Sequence, residues 1–98
     1  MEKAVIDESK LREACPRYDI AFLGIFGSYA RDDFSGKSDL DLLVKFSKRK
    51  SLIELVGIEQ ELSEFLGVKV DLLTEKSLSP YLKDGIMKEL KVIYDEER

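Results

Sequence analysis

Residues 27–41 read GSYARDDFSGKSDLD, and the rest of the chain is arranged about them. An apolar run, Ile20 to Phe26, delivers the chain into Gly27-Ser28. Asp39 and Asp41 then stand at the head of a second apolar run. Residues two apart on a strand share a face, so Asp39 and Asp41 point one way and Leu40, Leu42 and Val44 the other. Two like charges side by side repel, and an apolar strand solvates neither well. A divalent cation removes that conflict. Mg²⁺ takes one or two carboxylates together with phosphates. Glycine lets backbone approach a ligand closely. A helix opening near Ser28 presents N–H groups that suit an anion. A phosphate cradle joined by a short loop to a carboxylate pair reads as a nucleotide–metal site. The plain structural alternative is an N-cap at Ser28 and a solvated edge strand.

The spacing Gly27-Ser28, then Asp39-x-Asp41, resembles the signature of the nucleotidyltransferase superfamily that has the polymerase-β palm. The flanking GSYAR and SDLDLLV are similar to its minimal nucleotidyltransferase (MNT) branch, often the antitoxin of HEPN–MNT toxin–antitoxin pairs (MntA-type). The likeness runs from about Ile20 to Tyr94 and includes VDLLT, where Asp71 matches the family's third carboxylate. One departure is Asp32, where relatives often carry Gly.

The resemblance implies a Mg²⁺-dependent transfer of AMP from ATP to a hydroxyl of a partner HEPN toxin, a tyrosine in some relatives. By the same resemblance Asp39, Asp41 and Asp71 are the catalytic and metal-binding residues, holding two Mg²⁺ ions. Asp71 also helps deprotonate the acceptor, and Gly27 and Ser28 hold the β- and γ-phosphates. Arg31, one turn beyond Ser28, is placed to reach a phosphate or to pair with Asp32 or Asp33. Two alternatives stay open: an inactive antitoxin that neutralises by binding, and a small-molecule transferase of the aminoglycoside-modifying kind.

Composition narrows the setting. A chain of 98 residues is expected to form one small domain with a modest core. With 16 Lys+Arg against 20 Asp+Glu there is no basic footprint for direct nucleic-acid binding. An acidic domain suits a protein partner with a basic face, which an RNA-cleaving toxin needs. With no His and one Cys a zinc site is not expected. Cys15 reads as a small core residue, in keeping with a reducing cytoplasm. No signal peptide or membrane span is expected.

The rest of the chain fits an α/β (α+β) palm-like domain. Asp7 caps a helix from about Glu8 to Ala14 that Pro16 ends. Ile20–Phe26 is a buried strand, and a short helix runs from Tyr29 to about Asp33. Ser35-Gly36 turns the chain into Asp39–Phe46. Residues 45–50, KFSKRK, form a basic turn, either solvated or attracting ATP phosphates or a partner. Ser51 and Glu54 form a capping box for a helix to Leu66. Its stripe is Leu52, Leu55, Val56, Ile58, Leu62, Phe65 and Leu66, with Gly57 packed closely on the sheet and Gly67 at C′. Val68–Thr74 is a third strand, parallel to the second. Asp71 then faces Asp39 and Asp41, opposite Val68, Val70 and Leu72. Ser79-Pro80 opens a last helix. Val92-Ile93-Tyr94 either extends it or adds a strand. The expected sheet is three-stranded in order 1-2-3, the first pair antiparallel and the second parallel. Three strands and about four helices leave nothing to bind an acceptor, so a docked partner would supply it.

Overall fold

The computed structural model describes residues 6–31 and 39–97. The expected turn at Ser35-Gly36, Lys37, and the aspartates Asp32 and Asp33 lie outside the described residues.

The chain forms α1 (Glu8–Arg17), β1 (Ile20–Phe26), α2 (Ser28–Arg31), β2 (Leu40–Phe46) and α3 (Leu52–Leu66). Then come β3 (Val70–Thr74), a 3₁₀ turn (Glu75–Ser77), α4 (Pro80–Glu89) and β4 (Lys91–Asp95). The described sheet has four strands in the order β3-β2-β1-β4, not three. β1 is antiparallel to β2 and to β4, and β2 is parallel to β3. The added strand comes from the residues around Val92-Ile93-Tyr94. Ile93 is buried, so pairing with β1 gives that short apolar segment a core contact that one more helical turn would not.

Two sheet faces divide the work. Leu23, Ile25, Leu40, Leu42, Val44 and Val70 join Leu11, Ala14 and Cys15 of α1 and Ile58 and Leu62 of α3 in one core. Strand alternation sends Asp41 and Asp71 to the other face. Burial of Cys15 pushes its thiol up to about 12, and Sγ donates to Leu11 O at 3.3 Å, as a structural cysteine does.

The ends of α1 and α3 follow their local chemistry. Asp7 Oδ1 accepts from the N–H groups of Ser9 and Lys10. Pro16 does not stop α1 at Ala14. The helix carries it inside and ends at Arg17, because a proline in the last turn forfeits a single backbone bond. In α3, Ser51 and Glu54 exchange both capping bonds, and Gly67 closes the helix at φ 73°.

The α3 stripe is narrower than its sequence suggests. Ile58 and Leu62 are buried, whereas Leu52, Val56 and Phe65 are exposed. Gly57 makes no close approach: a Cβ there would meet nothing within 4 Å. What α3 does supply is polar. Ser63 Oγ accepts from Val70 N at 2.9 Å and Glu59 Oε2 from Leu72 N at 2.8 Å. These bonds cover the outer edge of β3, the edge a sheet otherwise leaves open to pairing. The α4 helix buries none of its residues, and Tyr81 is 95% exposed.

The basic turn sits at the far end of β2 from the aspartates. Lys48 and Lys50 pair with Asp19, and Lys45 with Glu75. It is therefore a surface turn pinned by ion pairs, at the opposite end of β2 from Asp41.

A candidate nucleotidyl-transfer site

Asp41 and Asp71 are register partners on the neighbouring parallel strands β2 and β3. Parallel register is set by the paired apolar residues beside them, Leu40 with Val70 and Leu42 with Leu72. Asp39 lies just before β2, with Lys69 Nζ 3.8 Å from its Oδ2. All three aspartates are half-buried.

Their mutual repulsion is visible on Asp41. Burial first, then the charges of Asp71, Asp39 and Glu89, push its carboxyl above the ordinary aspartate range, and Arg31 pulls it partly back. Among the described residues no three acidic or cysteine side chains stand close enough together to hold a metal ion between them. The donor set nevertheless suits a hard divalent cation: carboxylate oxygens in a strained like-charge group, beside a backbone turn.

That turn is Gly27, which follows β1 directly and has φ +78°. A Cβ built on it would overlap Asp41 Oδ2, so glycine is required here for room as well as for conformation. Ser28 opens α2, and Gly27 O accepts from the N–H groups of Ala30 and Arg31. At one turn, α2 has little macrodipole, so an anion here would depend on backbone N–H groups, the Ser28 hydroxyl and Arg31. Tyr29 packs against the core. The structure thus brings together Gly27, Ser28, Arg31, Asp39, Asp41 and Asp71 at one end of the sheet.

No local pattern in the sequence singles out Glu89. Its Oε1 accepts from Gly27 N at 3.0 Å, and its Oε2 lies 3.1 Å from Arg31 Nη1. Arg31 therefore pairs with a residue distant in sequence, while the neighbours expected for it, Asp32 and Asp33, lie outside the described residues. Nor does any single out Glu59 and Ser63, since strand-edge caps leave no periodic trace.

The nucleotidyltransferase domain model matches residues 8–93. The chain belongs to the nucleotidyltransferase domain family. A Methanocaldococcus jannaschii protein named for protein adenylyltransferase activity is 47% identical over 73 residues, covering 74% of this chain and 78% of that one. Two solved structures share the fold of this nucleotidyltransferase domain. One is a toxin–antitoxin with AMP-PNP, at TM-score 0.81 and 23% identity, covering 92% of this chain and 74% of that one. The other is a tri-AMPylated Shewanella oneidensis HEPN toxin in complex with an MNT antitoxin, at TM-score 0.71 and 22% identity, covering 92% and 71%. No helix among the described residues is long and apolar enough to cross a membrane.

Proposed function

We propose that this nucleotidyltransferase moves AMP from ATP to a tyrosine hydroxyl of a HEPN toxin and so acts as its antitoxin. The observation that carries the reading is the register pairing of Asp41 with Asp71 on the open sheet face, next to the Gly27 turn. The name of the Methanocaldococcus relative and the HEPN complex among the structural neighbours support the same donor and acceptor.

In this reading Gly27, Ser28 and Arg31 bind the β- and γ-phosphates. Asp39, Asp41 and Asp71 would hold Mg²⁺, which when bound neutralises phosphate charge and steadies the attacking and leaving oxygens. The tyrosine oxygen attacks the α-phosphorus, the bond to the β-phosphate oxygen breaks, and pyrophosphate leaves. Asp71 takes the hydroxyl proton. The chain's contribution is placement of the two reactants and exclusion of competing geometries. Adenylylation adds bulk and a negative charge to the toxin, which weakens its hold on RNA.

The test uses the toxin encoded beside this chain and ATP labelled at either the α- or the γ-phosphate. Label from the α-position on the toxin supports the reading. Label from the γ-position makes the chain a kinase. Complex formation with no label in either case makes it a binding antitoxin.

A further inference from the structure

We infer that Glu89 is the positioning residue of the phosphate-binding turn, an inference that rests on the adenylyltransferase reading above. Glu89 is the last residue of α4. A carboxylate at a helix C-terminus opposes the helix dipole, and α4 has no buried face that would fix its end. The placement makes little sense for α4 itself. It makes sense for what the carboxylate grips.

Its two oxygens span α2 from end to end. Oε1 holds the Gly27 N–H, just before the turn begins, and Oε2 holds the Arg31 guanidinium, where it ends. Gly27 and Arg31 are both residues proposed above to bind the triphosphate, and the Gly27 N–H itself is taken by Glu89. The guanidinium is a planar fork of N–H donors, so the bond to Glu89 fixes its orientation.

Two independent features bring Glu89 to this spot. The β4 register on β1 sets Lys91 opposite Ile25 and Val92 opposite Gly24. Continued backwards, that register brings Glu89 level with Gly27. Between them, Leu90 lies over Gly24, where a Cβ would come within 2.7 Å of Leu90 Cδ1. The bare glycine lets the α4–β4 junction settle onto the sheet. The fourth strand is therefore part of the site: it anchors the residue that sets the turn.

The experiment compares wild type, Glu89→Ala, Glu89→Gln, Arg31→Ala and the double Arg31→Ala/Glu89→Ala protein. It measures ATP affinity by calorimetry, KM and kcat for transfer to the toxin, and the thermal midpoint. Glu89→Ala should weaken ATP binding and raise KM by about tenfold or more, with kcat changed by less than about threefold, since the lost grip on the triphosphate lies away from the attacked α-phosphorus and is already made in the bound ground state. The double variant should be no worse than about twofold beyond the more affected single one, because Glu89 acts largely through Arg31. Glu89→Gln keeps an acceptor for Gly27 and should recover part of the loss. Glu89→Ala binding ATP within about twofold of wild type, or more tightly, overturns the inference. So does a fully additive double variant whose losses follow the thermal midpoint, which marks a purely structural role. If wild type binds ATP but transfers nothing, the adenylyltransferase reading fails while the affinity series still decides the role of Glu89.

Discussion

Gly27 and Asp41 occupy a space that holds only one side chain. A Cβ on Gly27 would overlap Asp41 Oδ2, and its φ of +78° disfavours any residue but glycine. Gly27→Ala should therefore cost about 1–3 kcal/mol through combined strain and overpacking. In a domain of this size that is a fall of roughly 4–8 °C in thermal midpoint per kcal/mol. Because the displaced group is Asp41, ATP binding should fall further than stability does. Calorimetry of the folded variant well below its midpoint separates the two effects.

Asp41 is held above the ordinary aspartate range by burial and by Asp71, Asp39 and Glu89. The folded state then binds the proton more tightly than the unfolded chain, so stability falls as pH rises from about 4 through the raised folded value. Asp41→Asn should raise the thermal midpoint at pH 7 in EDTA. That advantage should vanish below about pH 4, where the carboxyl is protonated in both states. Mg²⁺ should raise the midpoint of wild type and not of Asp41→Asn. Thermal scans at several pH values, with and without Mg²⁺, check both signs.

Gly57 is inside α3 with open space around it. Gly57→Ala should stabilise the domain by about 0.5–1 kcal/mol, since alanine restricts the unfolded chain and favours the helix. Urea unfolding reads this directly, with an unchanged m-value. A loss of stability would contradict the open surroundings of Gly57.

The strands and the carboxylate spacing were legible because both are local. The run Ile20–Phe26 has its observed limits, and the alternation Asp39-x-Asp41 sorts the aspartates from Leu40 and Leu42 without any tertiary knowledge. Asp71 required one inference, the parallel pairing across α3, and its register followed from matching apolar positions. The fourth strand was harder. Val92-Ile93-Tyr94 is short, follows α4 with no glycine between them, and is decided by pairing with β1 that no local pattern encodes. Glu89 was invisible for a related reason: its partners are more than fifty residues away in sequence. Charged residues on an exposed helix look alike until the fold picks one out. The α3 stripe misled in the opposite direction. Leu52 and Val56 fit the helical period, yet only Ile58 and Leu62 of α3 are buried, and β3, the strand it caps, is only five residues long.

The most direct measurement is intact-mass spectrometry of the neighbouring HEPN toxin after incubation with ATP, Mg²⁺ and this chain. The account predicts one or more AMP adducts, absent when Asp39→Asn and Asp41→Asn are combined, together with loss of the toxin's ribonuclease activity only where the adduct forms. A toxin neutralised equally well by the double variant, and never gaining mass, would contradict it.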